Sequence, residues 1–385
     1  MTLIPEKAPL SSSSIRVMVV DDSAVIRGFL TRFIESDPEI KVVASVSNGQ
    51  LAVGSMTPGK FDVVVLDIEM PVMDGMTALP LILKSDPAVQ VVMASTLTKA
   101  NAAITLKALE IGAAECLAKP TSQELAGSTA FRDDLIQKVK ALGMVARRRR
   151  GITERPQSTA AASGTATNKA PAPATAPAPK KFTLRPEIIK AAPDVIAIGS
   201  STGGPQALMQ FFSDLKGGVK QPIFITQHMP ATFTTILAEH IAKQSGLQCH
   251  EAVEGEVIQG GQIYLAPGNF HMTIKDQGGK KIISLNQDAQ ENFCRPAVDP
   301  MLRSLINVYG KKILAVIFTG MGADGMKSCQ QLVDAGGTVL AQDEATSVVW
   351  GMPGAVAMAG ICTQVLPLAS MAKAVKEYAG RGGIA

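Results

Sequence analysis

The sequence predicts two α/β domains, each built on a doubly wound, mainly parallel sheet, with a disordered linker between them. Three observations carry this. Short apolar, β-branched runs alternate with helix-length segments through residues 15–144, and again from 192 to 385. Most of those runs stop abruptly at polar residues, as strands do that deliver side chains to the carboxyl edge of a parallel sheet. Between the two stretches, Ser158 to Lys181 is almost wholly Ala, Pro, Thr, Ser and Gly, too poor in apolar surface to offset its own ordering entropy. The expected organisation is a tail over 1–14, a first domain over 15–144, a linker over 145–191 and a second domain over 192–385.

In the first domain the expected strands are Ile15–Val20, Ile40–Val46, Phe61–Leu66, Val89–Ala94 and Glu115–Ala118. Helices are expected over Ala24–Glu35, Ala100–Leu109 and Phe131–Met144, the last one amphipathic. Four of the strands end in chemistry-bearing residues: Asp21 and Asp22, Asp67, Ser95, and Lys119. Carboxylates converging in water-accessible space repel one another unless a cation joins them, and hard oxygen ligands suit Mg²⁺. A carboxylate flanked by a lysine and a metal can accept a phosphoryl group, with a hydroxyl beside it to bond the phosphate oxygens. The basic run Arg147 to Arg150 reads as solvated linker charge.

The second domain opens on Val195 to Ile198, a strand that ends in Gly199-Ser200-Ser201-Thr202-Gly203 before a helix starting near Pro205. This fits a G-x-S-x-G nucleophile turn, although the same residues could merely turn the chain or cradle a phosphate. Pro222–Thr226 is a strand running into His228, and Ile313–Phe318 is another, running into the glycine-flanked loop of Asp324. Ile263–Ala266 and Phe270–Lys275 read as strands, the latter pairing in a hairpin with Lys281–Leu285, and Val298–Val308 reads as a helix. A serine hydroxyl needs an imidazole to take its proton and a carboxylate to hold that imidazole. Of the four histidines, His240, His250 and His271 sit within elements or a polar segment; His228 alone is on a strand-end loop closed by Pro230. Ser201, His228 and Asp324 are therefore the candidate nucleophile, base and orienting acid. Backbone N–H groups around Thr202 to Gly204, or in the Met321-Gly322 loop, are the candidate oxyanion donors. An imidazole in this role brings activity that rises with pH near about 6.5, unless the site moves it.

Size and charge bound the rest. The chain has 385 residues, 46% of them hydrophobic, a net charge of +4 and only 4% aromatics. Neither a nucleic-acid surface nor a base-stacking platform is expected. Five scattered cysteines without CxxC spacing point to reduced thiols in a cytoplasmic protein, and no segment has the apolar length for membrane insertion.

The motifs VVDDSAVIR (Val19 to Arg27), VVLDIEMPVMDG (Val64 to Gly75), Ser95 and AKP (Ala118 to Pro120) resemble the receiver domain of bacterial response regulators. That resemblance implies a flavodoxin-like fold with Asp67 as phosphoacceptor. It also implies Mg²⁺ held by Asp21, Asp22, Asp67 and the Glu69 main-chain carbonyl, with Ser95 and Lys119 reading the phosphate. IAIGSSTGGP, ITQHMP, YLAPGNFH, RPAVD and IFTGMGADG are similar to the chemotaxis methylesterase domain. This second resemblance implies hydrolysis of glutamate γ-methyl esters on chemoreceptor cytoplasmic helices and deamidation of specific receptor glutamines. It makes Ser201 the nucleophile, His228 the base and Asp324 its orienter, with Thr202 and the Met321 amide shaping the site and no cofactor for the esterase. A chemotaxis histidine kinase is the implied phosphodonor, and a monomer is expected. Two rival readings are a DNA-binding response regulator and a non-catalytic regulatory scaffold.

Overall fold

The computed structural model describes residues 14–96, 98–119, 129–152, 182–187, 191–216 and 218–381. The expected tail apart from Ser14, the Ala/Pro-rich stretch and Pro120 lie outside the described residues.

The first sheet is five-stranded and parallel, in the order β2-β1-β3-β4-β5. Its strands are β1 (Ile15–Val20), β2 (Ile40–Val46), β3 (Val63–Asp67), β4 (Gln90–Ser95) and β5 (Glu115–Ala118). The helices are α1 (Ala24–Ile34), α2 (Gly49–Ser55), α3 (Gly75–Ser85), α4 (Lys99–Ile111) and α5 (Thr129–Arg149). Alternation along the strands divides the core as a doubly wound sheet requires. Val17, Val19, Val63 and Val65 pack with Leu30 and Ile34 of α1 and Leu135 and Val139 of α5. Met18, Val20, Val64 and Leu66 pack on the other face with Leu79, Ile82, Leu106 and Leu109. Helices α1 to α4 each begin at a side-chain cap, Ser23, Asn48, Asp74 and Thr98. The sequence did not announce α2 or α3, because α2 has only seven residues and α3 carries Pro80 inside it.

The arginine run is solvated charge only in part. Helix α5 continues to Arg149; Arg148 and Arg149 are exposed, but Arg147 and Arg150 are structural. Asp62, fully buried before β3, binds Arg16 and the Arg150 guanidinium at 2.9 and 2.6 Å. Arg150 also reaches Asp86 at 2.7 Å and the Phe61 carbonyl at 2.6 Å. Buried carboxylates need cations, and the helix extends because its last turn supplies them.

The second sheet is seven-stranded and parallel, in the order β14-β13-β12-β6-β7-β9-β8. Chain order gives β6 (Val195–Ser200), α6 (Gly204–Leu215), β7 (Ile223–Gln227), α7 (Phe233–Ser245), β8 (Gln248–Glu251) and β9 (Gln262–Leu265). An antiparallel hairpin of β10 (His271–Gln277) and β11 (Lys280–Asn286) follows, then α8 (Val298–Tyr309) and β12 (Ile313–Ile317). The domain ends with α9 (Met326–Asp334), β13 (Thr338–Gln342), α10 (Met352–Met358), β14 (Gln364–Leu366) and α11 (Leu368–Ala379). Edge strand β8 is too polar and exposed to read as a strand from sequence. The expected linker also ends early: Phe182 packs on Trp350 with ring centroids 6.2 Å apart, and Arg185 N–H donates to the Cys362 carbonyl at 2.9 Å.

Two relationships place the site. Strand β6 lies between β12 and β7, so the order reverses direction there, and ligands of such sheets bind above the carboxyl ends at that crevice. On the same side, α4 of the first domain packs on α6 and α7 of the second. Gln206 Nε2 donates to the Ala113 carbonyl at 2.6 Å across this junction.

Candidate active site

Ser201, His228 and Asp324 follow β6, β7 and β12, three adjacent strands, on one edge of the sheet. Ser201 is nearly buried, at 9% exposure, in the turn that leads into α6. That turn closes through Gly203 at φ 74°, a left-handed position that glycine takes without strain. The Ile317–Asp324 loop approaches closely because Gly320 has no side chain: a Cβ there would lie 2.8 Å from that of Ser201. His228 is tied beside Ser201 through the backbone, its N–H donating to the Ser200 carbonyl at 3.1 Å. Gln227, buried between them, donates from Nε2 to the carbonyls of Ser201 and His228 at 3.0 and 3.1 Å.

His228 Nε2 lies 2.7 Å from Asp324 Oδ2. Asp324, 1% exposed, also accepts from the Val298 and Asp299 N–H groups at 2.6 and 3.2 Å and from Asn292 Nδ2 at 2.8 Å. Those two N–H groups open α8, where the helix end favours negative charge. Burial alone would raise the Asp324 pKa, but His228 and these N–H donors outweigh it and hold the carboxyl below the usual carboxylate range. The other ring nitrogen of His228, Nδ1, faces Cys294 Sγ at 3.3 Å. Among the described residues no hydrogen bond joins the imidazole to the Ser201 hydroxyl. Burial pulls the His228 pKa down, yet the Cys294 sulfur and the Asp324 carboxylate reverse this and push it up to about 10. The site thus moves this titration well above the value of a free imidazole.

Thr202 is 1% exposed and its Oγ1 has no partner among the described residues. Met321 is half-buried, three residues before Asp324. The Gly204 N–H is taken by the Ser201 carbonyl at 2.7 Å. The remaining histidines are engaged elsewhere: His240 lies 3.5 Å from Glu110, His250 2.8 Å from Glu256, and His271 Nε2 3.1 Å from the Ala289 carbonyl. Gln227, Asn292, Cys294 and Asp299 belong to the site without having been expected. Only Gln227, next to His228 at a strand end, carried a positional signal; Asn292 and Cys294 sit in an aperiodic polar loop.

In the first domain, one ligand atom from each of Asp21, Asp22 and Asp67 lies within 4.8 Å of the others. Lys119 Nζ bridges Asp21 and Asp67 at 2.7 Å each. Burial raises the Asp67 pKa, with Asp21 adding to it and Lys119 opposing it. Three oxygens on two strand ends, one of them on exposed Asp22, fit a six-coordinate cation such as Mg²⁺ that keeps several waters. Ser95 is buried at the end of β4, its carbonyl accepting from Lys119 N–H at 2.7 Å. The Glu69 side chain is exposed while its backbone N–H bonds the Asp67 carboxylate.

Comparison with known proteins places these two sites in matched regions. Residues 196–375 match the family model described as CheB methylesterase, and residues 17–128 match that of the response regulator receiver domain. A protein-glutamate methylesterase/protein-glutamine glutaminase of group 2 operon from Rhodospirillum centenum is 56% identical over 96% of this chain and 95% of its own. The protein-glutamate methylesterase/protein-glutamine glutaminase of Azospirillum brasilense is 54% identical over 95% of this chain and 93% of its own. A crystal structure of the Thermotoga maritima CheB methylesterase catalytic domain is 40% identical, covers 49% of this chain and 99% of its own, and gives a TM-score of 0.47.

Proposed function

Because the chain belongs to the family of protein-glutamate methylesterase/protein-glutamine glutaminases, we propose that Ser201, His228 and Asp324 hydrolyse glutamate γ-methyl esters on chemoreceptors, under control of the receiver domain. The protein is a receiver-regulated hydrolase of chemotaxis, and that membership removes the DNA-binding and non-catalytic alternatives. The observation that carries the residue assignment is the 2.7 Å contact between His228 and Asp324, on strand ends flanking that of Ser201.

Ser201 Oγ attacks the ester carbonyl carbon while its proton passes to His228. With Nε2 held by Asp324, the receiving nitrogen is Nδ1, so substrate entry exchanges the Cys294 contact for Ser201. N–H groups at Thr202 and Met321 steady the oxyanion. The C–O bond breaks, methanol leaves with the proton from His228, and water then hydrolyses the acyl-enzyme through the same base. A receptor glutamine follows the same path with ammonia leaving.

In the receiver domain Asp67 is the phosphoacceptor; Ser95 and Lys119 would bond the phosphate, and Asp21, Asp22, Asp67 and the Glu69 carbonyl would hold Mg²⁺. The cation, when bound, neutralises charge on the phosphoryl oxygens. The phosphodonor is a chemotaxis histidine kinase, the substrates are receptor cytoplasmic helices, and the enzyme acts as a cytoplasmic monomer. No described helix is long and apolar enough to cross a membrane. The first domain runs from Ile15 to about Ile152, and the second from about Phe182 to Arg381 among the described residues.

The test is methanol release from methylated receptors with and without a small-molecule phosphodonor. Wild type releases methanol faster with the phosphodonor, and Ser201→Ala releases none. Full release by Ser201→Ala would refute the nucleophile.

A further inference from the structure

Residues 291–294 form a tight two-residue turn. Cys294 N–H donates to the Glu291 carbonyl at 2.9 Å, and Glu291 N–H donates to the Cys294 carbonyl at 3.2 Å. Asn292 at φ 52° and Phe293 at φ 63° both occupy the left-handed region, the signature of a type I′ turn, in which Asn then Gly is the favoured pair. Asn292 follows that preference and Phe293 violates it, since a bulky side chain is strained at positive φ. No packing among the described residues compensates. Phe293 is 86% exposed, more than any other large apolar side chain among the described residues.

The turn is nonetheless fixed at its base and aimed at the catalytic groups. Glu291 is held by Arg303 at 2.5 and 2.8 Å, and Arg295 donates to the Gln287 and Asp288 carbonyls and to Asn269 Oδ1 at 2.8 to 2.9 Å. The residue before Phe293 bonds Asp324, and the residue after it touches His228. An aromatic ring is thus held out in water at the rim of the catalytic cleft, at a cost in backbone strain that glycine would remove.

We propose that Phe293 is the substrate-docking anchor of the esterase, a specificity residue that packs on the apolar stripe of the receptor helix beside the ester being cleaved. The occupant follows from the reaction assigned above, on which the proposal rests. A substrate whose ester reaches Ser201 must pass this rim, and on a helix the side chains three and four positions from the ester share its face. Desolvating one Phe side chain is worth about a tenfold to hundredfold gain in affinity.

The experiment measures Phe293→Gly and Phe293→Leu in the full-length protein, with methylated receptor and with a small soluble ester, p-nitrophenyl acetate. Glycine suits this backbone, so the variant folds and its thermal midpoint stays level or rises. The expected result is a KM for receptor raised about tenfold to hundredfold with kcat nearly retained. The ratio of receptor to small-ester kcat/KM falls by the same factor, and Phe293→Leu recovers most of it. A receptor KM within about twofold of wild type in Phe293→Gly overturns the anchor, as does an equal loss on both substrates. Wild type that cleaves the small ester but no receptor overturns the assigned reaction, and the anchor with it, before any variant is read.

Discussion

The Asp324 carboxylate lies 2.7 Å from His228 Nε2 and takes the two N–H groups that open α8. With Asn292 Nδ2 all four of its contacts are to donors, so it stays ionised in the interior and fixes the ring by one nitrogen. Asp324→Asn keeps the shape and removes the charge that holds the imidazole in its useful tautomer. The expected outcome is a loss of roughly a thousandfold or more in kcat for ester hydrolysis with little change in KM. A loss under about tenfold, read from steady-state methanol release, would remove Asp324 from the catalytic set.

Cys294 lies against the free nitrogen of His228 and is one of two groups that raise its pKa. Burial depresses the imidazole pKa, but the Cys294 sulfur at 3.3 Å and Asp324 raise it to about 10. The ring must be neutral to accept the Ser201 proton, so kcat/KM rises with pH through the pKa of the free enzyme. Cys294→Ala removes one raising contact and leaves burial in place, so the rising limb moves to lower pH, by about one pH unit or more. Activity at neutral pH rises accordingly. A pH profile of kcat/KM with its limb unmoved would show that the thiol does not bias the base.

What the sequence revealed, and what it hid, divides along physical lines. Strand ends are legible because β-branched runs stop at a polar residue, and Asp21, Asp67, Ser201 and His228 all stand at such stops. The carboxyl edge of each sheet then brought them together by topology alone. Asn292, Cys294 and Phe293 could not be found, because they sit on a turn whose place depends on long-range bonds to Asp324, Arg303 and Asn269. The role of Arg150 was hidden for a related reason. Its partners Asp62 and Asp86 lie 88 and 64 residues away, and local composition made the run look like solvated charge.

Lys119 occupies the charge balance of the acidic cluster, bonding Asp21 and Asp67 at 2.7 Å each. Lys119→Met removes a cation that competes with Mg²⁺ for the same oxygens, while also removing the group that would bond a new phosphate. Mg²⁺ should bind several-fold more tightly by calorimetric titration, while the phosphodonor no longer raises esterase activity. Weaker Mg²⁺ binding in this variant would show that the lysine organises the metal ligands instead of competing with the ion.

Arg150 holds the far edge of the first sheet. Its guanidinium joins Asp62, whose side chain is fully buried, to Asp86. Arg150→Ala leaves Asp62 with Arg16 and Arg147 but strips Asp86 of its cation, so the receiver should lose about 2–4 kcal/mol, less than for a wholly orphaned buried charge. Burial works against Asp86 ionisation, but the Gly59 and Ala88 N–H groups and Arg150 lower its pKa. Its stabilising share is therefore present above its unfolded pKa and fades as pH falls through the lower folded value. Chemical denaturation at neutral pH should show the full loss, and at acid pH a smaller one.

Helix α6 starts three residues after Ser201 and is also the surface on which α4 rests. Met209 on α6 lies with Leu106, Leu109 and Leu237 in this junction, and the Gln206 amide is bonded to Ala113 beside it. If the receiver restrains the esterase here, a charge placed in the junction should release it without touching a catalytic group. Met209→Lys buries an ammonium against apolar side chains, which disfavours the closed arrangement by a few kcal/mol, enough to shift a two-state population tenfold or more. Unphosphorylated activity should rise several-fold and the stimulation by a phosphodonor should shrink, because the state that phosphate selects is already populated. Unchanged basal activity with unchanged stimulation would place the restraint elsewhere, most directly at Val348 and Val349, which pack on the receiver core next to the Ser201 turn.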